Sequence, residues 1–395
     1  MSSEYIPVEI QTEILKRLPV KPLARFRSVS KPWKRLIDSR DFIVSYGARH
    51  PQPHRFLHRN KEENKYFTSF EDHSFVEKEF GSEDPCVVPD LLSRYEGNFV
   101  GSSHGLLCLY IIYHEHMSDS WSKLSREMVV VWNPSIKKSV GIPVPYIYHD
   151  SRSKAGIRNA FGFGVCPVTF DPIILKNKWM SWGDYGPWRV RVFTLSTGAW
   201  SVISTNLPRG SIELRGPQVV IDGFIYWLAK DRLAAENGGS ESIMSFDLTA
   251  KEFKEVNLTG FLSNRTCSIE TISKLRESLV LLEYHREEDV SVCSLWMMMK
   301  ERGGGVGRLF SKLYNINVPD TKINKLVGFK KTGEVILVTQ KSPYGNGNLE
   351  IFDPNSEAID KLGIYARVYS FIMCSYMESL LLLDQLDGFI YSIGN

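Results

Sequence analysis

The 395-residue chain reads as an α+β multidomain protein, with a small three-helix module followed by an all-β propeller of six blades closed by strands from both chain ends. Three observations predict this. Apolar residues recur at helical spacing only within the first forty-odd positions. From about residue 52 that period gives way to short strand-like runs. The runs repeat at intervals near fifty residues, which is the unit of a β-propeller. The boundaries drawn are 1–48 for the helical module and 52–395 for the propeller.

In the helical module, Pro7 stands where a first helix begins, with Glu9 and Glu13 near its positive end. Ile10, Ile14, Leu15 and Leu18 form one apolar stripe, and Pro19 stops the helix. A second helix carries Leu23, Phe26 and Arg27. Ser30 is placed to cap a third, which holds Trp33, Leu36 and Ile37 on one side. So small a unit is marginal alone, so part of its apolar surface is expected to be covered by a partner.

The strand repeat consists of an apolar run ending in a turn. It appears as VVVWNPSIKK at 129–138, RVFTLSTGAW at 191–200, IMSFDLTAKEF at 243–253 and LEIFDPNSEAI at 349–359. Weaker copies are SLWMMMKER at 294–302 and YFTSFEDHSF at 66–75. The first turn residues, Asp72, Asn133, Thr194, Asp247, Met297 and Asp353, are spaced by 61, 61, 53, 50 and 56. Each unit also has a first half that reads as a hairpin turning at Gly, Asp-Gly or Thr-Gly, so two hairpins give the four strands of one blade. The last stretch, VYSFIMCSYMESLLLLDQLDGFIYS, reads as a hairpin without a following turn run, and the strands near 55–80 lack a first half. The two ends are therefore expected to share a blade, which would remove exposed sheet edges.

Composition is ordinary for a globular chain, 43% hydrophobic and 24% charged, which argues against a disordered protein. The net charge of +3 argues neither for nor against nucleic acid, and none is expected as a partner. Residues 1–50 hold ten Lys/Arg against five Asp/Glu, a balance suited to an acidic protein partner as well as to phosphate. The six cysteines lie far apart with no C-x-x-C pair, as in a reducing compartment, cytoplasm or nucleus. No charged-then-apolar leader opens the chain, and no apolar run approaches the ~20 residues of a membrane span.

Residues 6–33 resemble the F-box, particularly its plant form. The pattern is Ile6-Pro7-x-Glu9-Ile10, then Glu13-Ile14-Leu15-x-x-Leu18-Pro19-Val20-Lys21-x-Leu23, then Arg25-Phe26-Arg27-x-Val29-Ser30-Lys31-x-Trp33. Ile6 stands for the usual leucine and Ser28 for a frequent cysteine; both keep the character of their positions. The resemblance implies docking to the Skp-type adaptor of an SCF (Skp–cullin–F-box) ubiquitin ligase. It carries over as contacts Ile6, Pro7, Ile10, Ile14, Leu18, Pro19, Val20, Leu23, Val29 and Trp33. Phe26 and Leu36 are read instead as the module's own core.

The remainder resembles the plant F-box-associated interaction domain. The marks are Gly101-Ser102-Ser103-His104-Gly105-Leu106-Leu107-Cys108, Trp132-Asn133-Pro134, Phe161-Gly162-Phe163-Gly164, Gly223-Phe224-Ile225-Tyr226-Trp227-Leu228 and Phe246-Asp247-Leu248. The paired glycines of typical Kelch repeats are absent. Together the resemblances imply a substrate-recognition subunit whose partners are the Skp-type adaptor, through it a cullin, and an unidentified protein substrate.

Long insertions at 112–127, 176–189, 230–241, 285–293 and 340–347 fall between the second and third strands of their units, so they emerge on one propeller face. That face is expected to take the substrate. Within it Trp179, Trp182, Tyr185 and Trp188 share one insertion and are candidate substrate anchors, against the alternative of a local cluster folded onto the blade.

No cofactor and no catalysis are expected. His114-Glu115-His116 lacks further metal ligands, and Gly303–Gly307 lacks the Lys-Ser/Thr ending of a phosphate loop. Gly162-x-Gly164 lies within a strand and is no dinucleotide fingerprint, and His104 beside Ser102 and Ser103 has no acidic orienter. The other readings are an F-box scaffold or decoy that does not promote ubiquitination, and a propeller lectin or enzyme with a coincidental helical leader.

Overall fold

The structure, a computed structural model, describes residues 6–49, 55–60, 65–70, 86, 88–95, 97–116, 123–145, 157–180, 188–204, 210–233, 240–256, 258, 262, 268–287, 290–299, 310–316, 321–330, 332–342, 345–368 and 372–392. It opens with four helices rather than the three expected: α1 (Val8–Leu15), α2 (Val20–Phe26), α3 (Lys31–Ile37) and α4 (Arg40–Arg49). Pro7 and Pro19 stand at the N-caps of α1 and α2, and the Ser30 hydroxyl accepts from the Trp33 amide at 3.3 Å to cap α3. The fourth helix supplies Phe42, Ile43 and Tyr46, which are buried with Leu15, Val20, Leu23 and Ile37. Its i, i+1, i+4 apolar spacing was present in the sequence; without these rings the first three helices would have too little core.

Five full blades follow, rather than six. Blade 1 comprises β3 (Asn98–Ser103), β4 (Leu106–His116), β5 (Lys123–Asn133) and β6 (Lys138–Pro143), and blade 2 comprises β7 (Ile157–Val165), β8 (Pro172–Met180), β9 (Arg189–Thr194) and β10 (Ala199–Ile203). Blade 3 contains β11 (Ile212–Ile221), β12 (Phe224–Asp231), β13 (Ser240–Asp247) and β14 (Glu252–Val256). Blade 4 contains β15 (Ser268–Leu275), β16 (Ser278–Glu287), β17 (Val290–Met298) and β18 (Phe310–Ile316), and blade 5 contains β19 (Lys322–Phe329), β20 (Val335–Gln340), β21 (Gly347–Phe352) and β22 (Ile359–Ala366). Between blades 5 and 1 stands a three-stranded sheet of β1 (Arg55–Asn60), β2 (Lys65–Phe70) and β23 (Ile372–Tyr376), with Leu57 opposite Cys374. The chain ends thus meet in one sheet, but it falls a strand short of a blade. The expected hairpin after β23 does not form. Residues 377–388 leave the sheet, and β24 (Phe389–Ile390) instead adds in parallel to the outer strand β6.

Every blade is covered on both faces, which is why its strands read as unbroken apolar runs. In β5, Val129 and Val131 enter the core shared with blade 2, while Met128, Val130 and Trp132 enter the core toward the closing sheet. In β16, Leu279 and Leu281 face blade 3 while Val280 and Leu282 face blade 5. Alternation sorts the side chains between two neighbours, not between core and water.

The sequence repeat has a hydrogen-bonding cause. At the third-to-fourth-strand turn, Asp247 Oδ1 accepts from the Thr249 amide at 2.8 Å, and Asp353 Oδ1 accepts from the Asn355 amide at 2.9 Å. Asn133 Oδ1 does the same for the Ser135 amide at 3.0 Å. These are Asx turns, for which a side-chain oxygen at the first position is required. Blade 2 has Thr194 there, and Asp171 from the neighbouring hairpin turn accepts from the Ser196 amide instead, at 3.0 Å. Met297 is no turn residue at all, since β17 continues through it; the position expected at Asp72 lies outside the described residues.

The two glycines of the Phe161–Gly164 run allow blade 3 to approach blade 2. A Cβ on Gly162 would lie 2.5 Å from Trp227 Cζ2, and one on Gly164 2.6 Å from Leu248 Cδ1. Gly162→Ala is expected to cost about 1–3 kcal/mol, because the indole is buried and has nowhere to withdraw. Urea denaturation checks this, and parental stability in the variant would refute it.

Buried thiols are likewise held inert. Burial pushes Cys108 well above its ordinary range and Cys293 up to about 12. For Cys293 this leaves roughly a thousandfold less thiolate than a free thiol. Alkylation of the native chain at pH 8 is expected to spare both cysteines, with modification appearing only after denaturation, as peptide mass mapping would reveal.

Candidate functional site

Two surfaces meet the description of a docking site, and they lie at opposite ends of the propeller. The helices pack on the face that carries the first-to-second and third-to-fourth strand turns. Arg40 Nη2 donates to the Thr169 carbonyl at 2.6 Å, and Ile136 joins the helical core. A small pocket between the parts is lined by Ile43, Gly47, His104, Phe170 and Met377. The ends of the second strands and the starts of the third strands therefore lie at the far face, away from the helices.

On the helical module, α1 separates two stripes. Leu15 turns inward, only 2% exposed, whereas Ile10 and Ile14 point out at 53% and 51%. Ile6, at the same spacing, is 52% exposed, and Val29 beyond α2 is 63% exposed. Spacing of i and i+4 places Ile10 and Ile14 in one row on α1, and Ile6 is exposed just before the N-cap at Pro7. Pro7 and Pro19 are also exposed, at the ends of α1 and α2.

The remaining residues expected on this surface divide. Leu18 and Trp33 are half-buried. The Trp33 indole donates to Gln11 Oε1 at 2.7 Å and meets Phe26 edge-on at 5.5 Å, so it ties α3 to α1. Val20 and Leu23 are fully buried in the helical core and present nothing to a partner, a correction to the expected contact set. The reason is α4, whose rings close over them. Phe26 and Leu36 pack against that core, as expected. A paired Arg27–Asp38, bidentate at 2.5 and 2.9 Å, fixes α3 against the end of α2.

Of the four aromatic residues in the tryptophan insertion, the side chain of Trp188 is described, and it is not exposed. Trp188 is buried between blades 2 and 3, its indole donating to the Ile212 carbonyl at 3.2 Å and its ring edge-on to Phe253 at 5.3 Å. This corrects its assignment as a substrate anchor. A buried indole N–H needs an acceptor, and the start of blade 3 supplies one. Trp179 lies in β8 opposite Arg158, and Trp182 and Tyr185 lie outside the described residues.

The residues that suggest chemistry are occupied structurally. Ser103 Oγ accepts from the Val165 amide at 3.1 Å and lies 3.0 Å from His104 Nδ1. Burial, aided by the charge of Lys274, lowers the His104 pKa, favouring the neutral ring. An acid–imidazole pair, Glu283 and His285 at 2.9 Å, is buried in β16, with Glu283 wholly inaccessible. Among the described residues no three His, Cys, Asp or Glu side chains gather as a metal site, and no helix is long and apolar enough to cross a membrane.

Comparison with known proteins agrees with this division. Residues 4–45 match the F-box domain, and residues 117–383 match the F-box associated beta propeller domain. F-box protein At2g21930 of Arabidopsis thaliana is 28% identical over 64% of this chain and 60% of its own length. Putative F-box protein At4g38870 of the same plant is 23% identical over 84% of this chain and 74% of its own. The chain spans about three fifths of the length of the first curated relatives it matches. Solved structures align more loosely. An oligogalacturonate lyase in complex with manganese covers 68% of this chain and 71% of its own at 8% identity, TM-score 0.37. Prolyl oligopeptidase B from Galerina marginata covers 91% and 54% at 10% identity, TM-score 0.38, and neither bears on function. An exposed apolar row on an N-terminal F-box, backed by blades whose family match runs through most of the chain, has one reading: this is a plant F-box protein, and the chain belongs to the F-box associated beta propeller family.

Proposed function

We propose that the chain is the substrate-recognition subunit of an SCF-type ubiquitin ligase, docking a Skp-type adaptor through its helices and capturing a target protein with the far propeller face. The observation that carries the reading is the apolar surface of the F-box, where Ile6, Ile10, Ile14 and Val29 are half exposed or more while Leu15, Val20, Leu23 and Ile37 are buried. Apolar side chains aligned on one helix face are costly in water and are stabilised by burial against a partner of complementary shape. The second support is polarity of arrangement. The helices cover one end of the propeller, so a cullin assembly held there leaves the connections at the other end free for a target.

In this reading the chain performs no chemistry of its own. Its contribution is proximity, since holding a target beside the ubiquitin-loaded partner converts an encounter into a positioned reaction. The compartment we assign is the cytoplasm or nucleus, which the free thiols at Cys86, Cys108, Cys166, Cys293 and Cys374 suit.

The test is direct. Purified full-length chain is titrated with a purified plant Skp-type adaptor by calorimetry, and a 1:1 complex is the expected result. No heat and no co-elution, with a cooperatively folded chain, would overturn the docking half of the proposal. Proteins captured by the propeller are then followed in a reconstituted cullin assembly. Ubiquitin on them supports the recognition role, whereas capture without ubiquitin would replace it by the scaffold or decoy reading.

A further inference from the structure

The segment after the last propeller strand has no counterpart in the blade repeat, and its contacts run to both parts of the molecule. Leu380 and Leu383, 1% and 2% exposed, are members of the helical core beside Leu15, Val20 and Tyr46. The same stretch is pinned to blade 1. Asn133 Nδ2 donates to the carbonyls of Ser379 and Leu381 at 3.0 and 2.7 Å. Lys138 Nζ donates to the carbonyls of Leu383, at 2.6 Å, and Gln385. Asp387 Oδ1 accepts from the Ser139 amide at 3.0 Å, and the chain then joins the edge of β6 as β24. Tyr391 ends the run edge-on to Phe193 of blade 2 at 5.2 Å.

From these contacts we propose that residues 377–391 are a positioning strap, which makes the F-box and the propeller one rigid body and completes the F-box core from the opposite end of the chain. Asn133 is the residue that distinguishes blade 1 for this task. Its Oδ1 closes the Asx turn, as Asp247 and Asp353 do in their blades. Only an amide, however, can close that turn and donate to strap carbonyls with the same side chain. An Asp at 133 would keep the turn and turn a negative oxygen toward two carbonyls. Asn133 is fully buried, so the loss could not be made good by water.

The strap deepens the adaptor reading and rests on it for one consequence, that the adaptor-docking row is held at a fixed distance and angle from the far propeller face. A flexible linker would let a captured target sample many positions; a shared core restricts it to one arrangement. The strap itself requires no partner and can be tested without one.

The experiment uses the full-length chain, with spin labels at Arg35→Cys in α3 and Lys254→Cys in β14. One narrow distance distribution is expected in the labelled parent. Asn133→Asp is expected to broaden it, and Leu380→Ala with Leu383→Ala to broaden it further. In the same double variant, amide exchange in α2 and α4 should accelerate by about 100-fold or more, as loss of two buried leucines implies, while β11–β22 exchange as in the parent. A broad distribution in the parent would overturn the proposal, as would unchanged helix exchange in the leucine variant. Asn133→Ser, which keeps a turn acceptor and leaves the strap carbonyls unpaired without adding charge, should fall between parent and Asn133→Asp. A parent-like distribution in the Asn133→Ser variant would count against the amide as the distinguishing group. Because neither readout contains an adaptor, failure of the strap leaves the adaptor reading standing, and failure of adaptor binding leaves the strap standing.

Discussion

Replacing Ile10 and Ile14 together by Asp is expected to weaken binding of a Skp-type adaptor by at least about 100-fold while leaving the unfolding midpoint of the chain within a degree or two. Both side chains are half exposed, so a carboxylate there meets water in the free protein and costs the fold little. In a complex the same carboxylates would be pressed into apolar surface without a partner charge, which is heavily penalised. The informative contrast is Leu23→Ala, at a fully buried position. It should lower stability by about 2–5 kcal/mol and reduce adaptor binding only through loss of folded helices. Calorimetric titration beside thermal melts separates the two. Equal loss of stability in both variants would mean that the Ile10–Ile14 row is core in solution.

Trp132→Ala is expected to be among the most damaging single changes in the propeller, at about 3–5 kcal/mol. Trp132 is wholly buried in β5 and meets Tyr66 of β2 edge-on at 5.1 Å, so it joins the first blade to the sheet made from both chain ends. Loss of the ring opens a cavity at the seam where the circle closes. The Trp132 indole N–H has no hydrogen-bond acceptor among the described residues, unlike that of the buried Trp188. Trp132→Phe, which keeps most of the ring and removes the N–H, should therefore cost much less than the Ala variant. Equilibrium denaturation of the three chains gives the comparison. A Phe variant as damaged as the Ala variant would show that the N–H, and not the ring, holds the seam.

Much of this was legible in the residues. Pro7, Pro19 and Ser30 fall at the starts of α1, α2 and α3, and His104-Gly105 and Asp222-Gly223, each pair with positive φ, turn their hairpins as the strand pattern requires. The turn residues Asn133, Asp247 and Asp353 were legible as a repeat because an Asx turn demands a side-chain oxygen at one position. On the helical module the sequence separated exposed from buried poorly. Ile14 and Leu15 are adjacent and equally apolar, and what turns one out and the other in is the position of α4 and of residues 380–383.

Local chemistry, then, was sufficient for the helical module, the blade repeat, the hairpin turns and the family. Those features depend on periodicity, on backbone conformations that few residues adopt, and on capping groups a few positions away. The blade number, the burial of Trp188 and the destination of the last leucine run were decided by tertiary structure alone. SLLLLDQLDGFIYS has the composition of a strand hairpin, yet Leu380 and Leu383 complete a core of helices encoded at the other end of the chain. An apolar run specifies that it must be buried, and only the assembled fold specifies against what.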